Sequence, residues 1–597
     1  MTVARNTLAL RRRSLNIRPR DASASRTQAH TRTVCRDASA SRTQAHTRTV
    51  CMHAPRRVRR AAHELRDVRL VQSSTTTTTS TTNITVTEPP ESNTRDERSR
   101  TRLVAGVVGG GPGGLAVACA LAKRGYDVRV YEALSQPPPP DSKEWGNPER
   151  SYQLGIGARG QTALTELGAW DAVLANCQPA LGRLSFDDEG NSVATLRRDK
   201  LYTTQVLQRD RLQSALLSHV RDVHGSCVNV KFGVECTGVE ARSDKRTAIT
   251  LRDAEGIEST ILCDLVIGAD GAASAVRSYL AENGVKSRRY VDDNKLVYKT
   301  LALRNITGRF ATTTKVTMPD GSTEPSDEKV RFDETNWGGR SKSGITFDAL
   351  PTSDGHMICV VLFKPDDERL AKMEPTAEAA RNFFKDLFPF LLPYMEDADL
   401  ERFAQKSPKN LPSFSYTYPK LHHGNVALLG DAIHAVKPYF GQGVNSAFED
   451  VVILSKALAM ATARVNARTS TEAMDDVTVD TPDSVLEGLD EYSRERAKDA
   501  ESLVKVSRSF DRPGKLGTFL FVFPLILDTI CNKLFGPALC EKSSIAILSD
   551  MKYSYSEGAA RKRRDRFVQG AIFAAILSFV LFVARGVFSF VRAAIGS

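Results

Sequence analysis

Residues 103–132 read LVAGVVGGGPGGLAVACALAKRGYDVRVYE, and this stretch decides the fold. The apolar run over 103–108 predicts a buried strand, because parallel strands that are covered on both faces are almost continuously apolar. A cluster of glycines follows, then an apolar helix that extends through Leu121 and a second strand over 127–132. The sequence therefore predicts a β-α-β unit.

The glycines after the first strand are spaced as G-x-G-x-x-G at Gly109, Gly111 and Gly114, with Gly113 inside the motif. The first permits a tight turn, the second lets the backbone approach a pyrophosphate, and the third lets the helix pack closely on the strand. The helix N-terminus favours the phosphate charge. Glu132 ends the second strand, 21 residues after Gly111, where a carboxylate accepts hydrogen bonds from an adenosine ribose. By itself the motif predicts a dinucleotide site for either NAD or FAD.

Two later motifs decide between these cofactors. Residues 263–277 read CDLVIGADGAASAVR, and residues 428–450 read LLGDAIHAVKPYFGQGVNSAFED. Together with the glycine motif, and in the same order, they resemble the signatures of the FAD-dependent aromatic hydroxylases, a family of flavoprotein monooxygenases. The resemblance implies that the cofactor is FAD. It also implies that Asp270 and Gly271 of the second motif lie near the FAD pyrophosphate, and that the third motif binds the ribityl or phosphate region through Gly430 and Asp431.

The same resemblance places a catalytic turn inside the third motif. Five residues are implied to act on the flavin there: Pro438, Gly441, Gln442, Gly443 and Asn445. Backbone N–H groups in such a turn stabilise negative charge that develops at the flavin edge, as an oxyanion site does. His434 is predicted to pack beside the flavin rather than to act as a base.

Within the family the chain is most similar to the kynurenine 3-monooxygenase branch, on residues 439–450 and on the segment RSYQL at 150–154. This resemblance implies that Arg150 and Arg209 bind FAD, with Arg209 closing over the cofactor. It also implies that Arg183 binds the substrate carboxylate, a task for which a guanidinium fork is well suited.

The implied function is an FAD-dependent monooxygenase that hydroxylates a small aromatic substrate with O2 and with NAD(P)H, NADPH being the expected co-substrate. Two positions depart from the branch: Arg197 stands where it has a tyrosine, and Phe510 where it has an asparagine. A hydroxylase or epoxidase of a lipophilic membrane substrate is therefore an alternative. A flavin-dependent reductase of the same fold and a non-catalytic, membrane-tethered flavin-binding protein are two more.

Other classes of protein are disfavoured by what the sequence lacks. Ten cysteines without a CxxC pair argue against a disulfide scaffold and a zinc module. The pair His422-His423 has no cysteine or carboxylate at metal-ligand spacing, so no metal site is predicted. Neither G-x-S-x-G nor H-E-x-x-H occurs, which removes the commonest hydrolases.

The basic character of the chain is confined to its first part. The net charge is +12, and residues 1–102 carry +13 from 21 arginines and 8 acidic residues, so the remainder sums to −1. A near-neutral body gives no reason to expect nucleic-acid binding. Residues 20–35 recur as 36–51, and a composition rich in Arg, Ser and Thr but poor in acids is typical of a transit peptide. We predict a disordered leader over 1–102, either an organelle transit peptide or a basic tail.

The C-terminus is predicted to associate with a membrane. Residues 571–584 form an uncharged apolar run of 14 residues, or 18 from residue 567 if one glutamine is included, and a spanning helix needs about 20. The basic run RKRR at 561–564 precedes it and would keep that flank cytoplasmic. We predict a transmembrane helix over about 567–590, and an interfacial or re-entrant segment at 516–527, which contains Pro524. The predicted location is an organellar membrane, first the mitochondrial outer membrane and second the plastid.

The predicted fold class is α/β: a Rossmann-like FAD-binding domain interleaved with an antiparallel-sheet substrate domain, followed by a C-terminal helical membrane-associated region. Alternating segments such as 295–303 and 357–363 indicate the antiparallel sheet, and apolar runs at 261–267 and 426–429 indicate further buried strands. The predicted divisions are 103–290 for FAD with an interleaved substrate-side segment, 291–405 for the substrate domain, 406–455 for FAD again, 456–510 helical, and 511–597 membrane-associated.

Overall fold

The computed structural model describes residues 102–142, 145, 152–198, 202–291, 295–306, 313–318, 323–438, 441–469, 480–511 and 514–595. The predicted leader up to residue 101, including its duplication, lies outside the described residues. So do Arg150 and residues 439–440 of the third motif.

The described part of the chain alternates strands and helices before it ends in helices alone. The strands are β1 (Val104–Val108), β2 (Asp127–Glu132), β3 (Gln153–Ile156), β4 (Gln178–Ala180), β5 (Gly182–Phe186), β6 (Ser192–Arg197), β7 (Thr204–Gln208), β8 (Val228–Phe232), β9 (Glu235–Ala241), β10 (Thr247–Arg252), β11 (Glu258–Cys263), β12 (Leu265–Gly268), β13 (Ser287–Arg289), β14 (Val297–Leu303), β15 (Thr313–Thr317), β16 (Thr323–Ser326), β17 (Thr335–Arg340), β18 (Thr346–Pro351), β19 (Met357–Phe363), β20 (Lys409–Asn410), β21 (Ser415–Thr417), β22 (His422–His423), β23 (Val426–Leu428) and β24 (His434–Ala435). The helices are α1 (Pro112–Lys123), α2 (Ala158–Glu166), α3 (Trp170–Leu174), α4 (Arg209–His224), α5 (Ala275–Glu282), α6 (Glu368–Ala371), α7 (Ala377–Leu387), α8 (Asp397–Gln405), α9 (Gln442–Thr469), α10 (Pro482–Ser509), α11 (Gly514–Leu539), α12 (Ser544–Ser549) and α13 (Tyr555–Ile595).

The predicted β-α-β unit is confirmed as β1, α1 and β2. It lies in a six-stranded sheet of order β22-β23-β12-β1-β2-β8, in which β1 pairs in parallel with both β2 and β12. The prediction of a single strand over 261–267 is wrong, because this segment forms parts of two strands, β11 and β12, that belong to different sheets. The chain turns between them at Asp264, whose Oδ2 accepts a hydrogen bond from the N–H of Val104 at 2.8 Å.

The second large sheet has nine strands in the order β16-β15-β6-β5-β17-β18-β19-β14-β20. Most neighbours are antiparallel, and β5–β17 and β6–β15 are parallel. One face is buried under α7 and α8 in a core that includes Trp337, Phe347 and Leu301. Because side chains alternate along a strand, the opposite face carries Tyr298. Burial raises the pKa of its hydroxyl, and the charge of the nearby Arg209 on α4 partly opposes this rise. This sheet face therefore adjoins the FAD-side residues.

The C-terminal region has two helices, α11 and α13, that are long and apolar enough to cross a membrane, over Phe519–Leu539 and Tyr555–Ser589. The predicted span at about 567–590 lies within α13. The segment at 516–527, predicted to be interfacial or re-entrant, is part of a longer helix, because α11 continues through Pro524 and on past Asp528 and Lys533. Charged residues interrupt the apolar run there, but they do not end the helix.

Candidate active site

The glycine motif brings the three sequence motifs together. Gly109 has φ +101°, and a Cβ on it would lie 2.5 Å from the carbonyl oxygen of Ala269 in the second motif. A Cβ on Gly114 would overlap the carbonyl oxygen of Gly109, and one on Gly113 would lie 3.1 Å from Leu429 of the third motif. Backbones this close leave no room for side chains, so the three loops form one cradle at the carboxyl ends of β1, β12 and β23.

Two predicted cofactor residues border this cradle. Glu132 accepts hydrogen bonds from the backbone N–H of Gly110 at 2.8 Å and of Leu134 at 3.0 Å. Arg209, the first residue of α4, has its Nη2 3.7 Å from the point where a Cβ on Gly111 would lie. The guanidinium therefore lies over the glycine turn, where it can neutralise a pyrophosphate.

The second motif provides a carboxylate that is only half satisfied. Oδ2 of Asp270 accepts hydrogen bonds from the N–H groups of Ala275 at 2.7 Å and Val276 at 3.2 Å. Its Oδ1 is buried with no hydrogen-bond partner among the described residues, and burial raises the pKa of the carboxyl. A buried acceptor without a hydrogen bond destabilises the folded protein. A hydroxyl group of bound FAD would supply the missing hydrogen bond to Oδ1. Gly271, which follows, opens the short turn that leads into α5.

The third motif enters the cradle through Gly430 and Asp431. The carboxylate of Asp431 lies 3.7 Å from the Cβ position of Gly443, and burial raises its pKa. Arg277 joins the second and third motifs, because its guanidinium donates to the carbonyls of Ala272 at 2.5 Å and Ala432 at 3.1 Å. The role of Arg277 was missed at the level of sequence, since its partners are backbone carbonyls and leave no side-chain pattern to find.

The predicted catalytic turn is held by Asn445. Its Nδ2 donates to the carbonyls of Gly155 at 2.9 Å and Gly441 at 2.6 Å, while its Oδ1 accepts from the N–H of Gly157 at 2.8 Å. Within the turn, the N–H of Gly441 donates to the carbonyl of Pro438 at 3.2 Å. One amide side chain therefore fixes the turn against β3 and the start of α2. The chemical roles predicted for the turn residues stay predictions.

Behind the turn lies a buried ion cluster that sequence reasoning did not find. Arg496 on α10, whose side chain is 0% exposed, pairs with Asp450 at 2.5 Å and with Glu449 at 2.9 Å. Asp450 also accepts from His434 Nε2 at 2.8 Å and from a backbone N–H of the third motif. Burial by itself would raise the pKa of Asp450, but the charges of His434 and Arg496 outweigh burial and lower it.

A link to the C-terminal helix completes this cluster. Arg159 pairs with Glu449 from the side opposite Arg496. The ring of Tyr555, the first residue of α13, lies 4.5 Å from the guanidinium carbon of Arg159, and its hydroxyl donates to Gln442 Oε1 at 3.1 Å. The start of the apolar C-terminal helix thus contacts the predicted catalytic turn directly.

The residue predicted to bind substrate lies on the nine-stranded sheet, away from the glycine cradle. Arg183 on β5 pairs with Asp348 on β18 at 2.6 Å, and both side chains are about half exposed. Its guanidinium extends across Gly338, where any Cβ would overlap it. Directly opposite Arg183 on β17, Asn336 has a buried Oδ1 with no hydrogen-bond partner among the described residues. The acidic partner of Arg183 was not foreseen from the sequence.

A cluster with metal-ligand chemistry lies elsewhere, between α1 and α4. Cys119, His219 and His224 are buried and place one potential ligand atom each within 4.8 Å of one another. Burial and the nearby charge of Lys123 lower the pKa of His219. Neutral imidazoles suit a metal, but the ammonium group beside them disfavours a cation.

Comparisons with known proteins agree with this site. The chain matches the FAD binding domain family over residues 102–313 and 337–470. Kynurenine 3-monooxygenase of Salinispora arenicola (strain CNS-205) is 30% identical over 60% of this chain and 73% of its own length. The enzymes of the same name from Dictyostelium discoideum and Sus scrofa are 25% and 27% identical, over 76% and 61% of this chain and 89% and 70% of their own lengths. The three motifs that meet in the cradle and these matches show that the chain belongs to the FAD-dependent aromatic hydroxylases and is a flavoprotein monooxygenase similar to kynurenine 3-monooxygenases.

Proposed function

We propose that this monooxygenase hydroxylates an aromatic α-amino acid of the kynurenine type, with NADPH as the reductant. The observation that carries the proposal is the pair Arg183–Asp348 on the sheet face that adjoins Arg209. The relatives named for kynurenine support the same substrate class.

The pair suits a zwitterion better than a simple acid. The guanidinium of Arg183 makes two parallel hydrogen bonds to a carboxylate, while Asp348 accepts from an ammonium group. A substrate with a carboxylate alone meets the negative charge of Asp348 beside its binding partner, which weakens its binding. The Oδ1 of Asn336, which has no hydrogen-bond partner in the part of the chain that the structure describes, is a further acceptor opposite Arg183 on the neighbouring strand. Together these groups favour an α-amino acid end on the substrate.

Each part of the cradle has a task when the cofactor is bound. The N-terminus of α1 and Arg209 would hold the pyrophosphate of FAD, and Oδ1 of Asp270 would accept a hydrogen bond from a hydroxyl of the cofactor. When bound, FAD would supply the redox chemistry, in which two electrons from NADPH allow one atom of O2 to enter the aromatic ring while the other leaves as water. The backbone N–H groups of Gln442 and Gly443 would face negative charge on the ring system, and apolar side chains of the sheet, such as Val360 and Leu362, would exclude water from the ring of the substrate.

A lipophilic substrate is the second candidate, favoured by one contact. Phe510, which stands where the branch has an asparagine, packs against Phe521 of α11 with ring centroids 5.4 Å apart. The apolar side chain of Phe510 packs on the apolar helix α11, whereas an asparagine at this position could form a hydrogen bond to an amino-acid substrate. Hydroxylation of sterol-like or polyprenyl compounds in preference to amino acids would establish this alternative.

We also propose that α13 anchors the protein in an organellar membrane, the mitochondrial outer membrane first and the plastid second. The composition of α13 supports the anchoring, and the Arg-rich leader supports the organelle. Imaging of fluorescent fusions with and without residues 1–102 tests the location. A diffuse signal from both fusions contradicts it.

The substrate is tested with the full chain, purified in detergent with FAD bound. We expect kynurenine to stimulate NADPH oxidation and to gain one oxygen atom by mass spectrometry, whereas phenolic acids and lipophilic compounds do not. Arg183→Ala should raise KM for kynurenine about 10- to 100-fold, since a hydrogen bond between charged groups contributes about 1.5–3 kcal/mol. Arg340→Ala, on a neighbouring strand of the same sheet, is the matched control. Equal effects of the two substitutions would remove Arg183 from the substrate site.

A further inference from the structure

The two apolar helices at the C-terminus differ in how they relate to the rest of the chain. By length and composition each of them is able to cross a membrane. Two crossings would place the connection between the helices, residues 540–554, on the side of the membrane opposite the FAD domain. One crossing would leave that connection beside the FAD domain.

The connection is attached to the FAD domain by several hydrogen bonds. Nη2 of Arg159 donates to the carbonyl of Asp550 at 2.9 Å. Asp499 on α10 accepts from the hydroxyl of Ser554 and from the N–H of Ser556, both at 2.9 Å. Both ends of α11 therefore lie on the same side of any bilayer, because α11 also begins just after α10. A helix with both ends on one side does not cross.

A second cluster of contacts sets the depth of α11 independently. Asp528, near the middle of α11, has a side chain that is 0% exposed and pairs with Arg566 at 2.7 Å and Lys562 at 2.9 Å. Gln569 donates to the same carboxylate at 3.1 Å. The middle of α11 therefore lies level with residues 562–569 of α13.

The length of α13 shows where that level is in a bilayer. From Arg566 to Ser589, α13 is about 35 Å long at 1.5 Å per residue, which matches a hydrocarbon core of roughly 30 Å. Were Arg566 at the centre of the bilayer instead, the basic run at 561–564 would lie inside the hydrocarbon, where charged side chains are strongly disfavoured. Residues 562–569 consequently belong at the membrane surface, and Asp528 with them.

We propose that only α13 crosses the membrane and that α11 lies in the plane of the bilayer surface, on the side of the FAD domain. This inference rests on the membrane anchoring proposed above. The partner is the leaflet itself: the apolar side chains that α11 exposes insert among the acyl chains, and Arg563 and Arg564, exposed at the same level, face the lipid headgroups. The exposed apolar residues of α11 are Leu516, Phe519, Leu520, Val522, Phe523, Ile526, Ile530, Leu534, Phe535 and Leu539.

Glycosylation mapping of the full chain, translated with microsomal membranes, tests this topology. Lys542→Asn creates an acceptor triplet with Ser543 and Ser544 in the connection, and Lys542→Gln is the matched control without one. Of the two native triplets, at 83–85 and 305–307, the one at 305–307 is the native triplet that reports on the body. A C-terminal extension with its own acceptor triplet reports on the tail.

We expect the acceptor in the connection and the native triplet to stay unmodified, and only the tail to be glycosylated. Modification of the connection with an unmodified tail would mean two crossings and would overturn the proposal. Extraction of the protein by alkaline carbonate, with no acceptor modified, would instead contradict the membrane anchoring on which the proposal rests. Activity on kynurenine, measured separately, is not affected by either result.

Discussion

The glycine cradle and the substrate face of the nine-stranded sheet differ in what holds their groups in place. In the cradle, backbones of three loops touch, and side chains are excluded by overlap at Gly109 and Gly114. On the sheet face, two half-exposed side chains, Arg183 and Asp348, meet across separate strands. The cradle is fixed by backbone geometry, whereas the sheet face is set by side chains that can change without disturbing the fold.

This contrast predicts different costs for substitutions in the two regions. Changes in the cradle should remove the cofactor or the fold, and changes on the sheet face should alter only the choice of substrate. We expect the effect to decrease from a substitution in the cradle, through one in the ion cluster behind the catalytic turn and one on the sheet face, to one at the start of α13.

Gly114→Val should have the largest effect, because its side chain overlaps the Gly109 carbonyl and forces β1 and α1 apart. We expect protein that is misfolded or colourless. Gly111→Ala is the matched control: a Cβ there approaches only Arg209, at 3.7 Å, so the fold should persist while FAD affinity falls. FAD-to-protein ratios and circular dichroism measure the two outcomes. A yellow Gly114→Val protein would contradict the packing described here.

Arg496→Met should lower the free energy of unfolding by about 3–5 kcal/mol, because among the described residues the fully buried Asp450 keeps only His434 as a charged partner and the part-buried Glu449 keeps only Arg159. The pKa of Asp450 is lowered in the folded protein, so the pairing stabilises the fold above the ordinary carboxyl value near 4. That contribution is lost as pH falls through the lowered pKa. Urea unfolding between pH 3 and pH 7 should therefore show a difference between variant and wild type that shrinks at acid pH. A constant difference would assign the effect to packing alone.

Asp348→Asn should change specificity and leave FAD content unaltered. Without the negative charge, the site keeps only a neutral amide oxygen as the acceptor for an ammonium group and no longer repels simple acids. We expect about a tenfold shift in the ratio of kcat/KM between kynurenine and its deaminated analogue, equivalent to about 1.4 kcal/mol. Thr346→Val, on the same strand and face, serves as the control. An unchanged ratio would show that Asp348 does not contact substrate.

Tyr555→Phe should have the smallest effect, since it removes one hydroxyl that donates to Gln442 at 3.1 Å. We expect FAD affinity to fall less than tenfold, in keeping with about 1 kcal/mol for a single hydrogen bond. Fluorescence titration of the FAD-free chain measures this. A complete loss of FAD binding would mean that the start of α13 belongs to the cradle itself.

The same contrast explains what could be predicted from the sequence. Glycine spacing is a local signal, because overlap at Gly109 and Gly114 is set within a few residues of each, so the β-α-β unit and the cradle could be found from the motifs. Partners that meet across the fold leave no such signal. Asp348 lies 165 residues beyond Arg183 in the numbering, and Arg496 reaches Asp450 from a different helix. The break at Asp264 was missed for a related reason, since an apolar run does not reveal which sheet each half joins.

The insertion of β5 and β6 between α3 and β7 has an evolutionary consequence. These two strands belong to the nine-stranded sheet, while the rest of that sheet is encoded only after β12. No contiguous piece of the gene encodes this sheet alone, so a recombination that exchanged the whole sheet would also exchange β7 to β12, which belong to other sheets. Point substitution on the sheet, at positions such as Asp348, is therefore the route to a new substrate range that leaves those intervening strands unchanged.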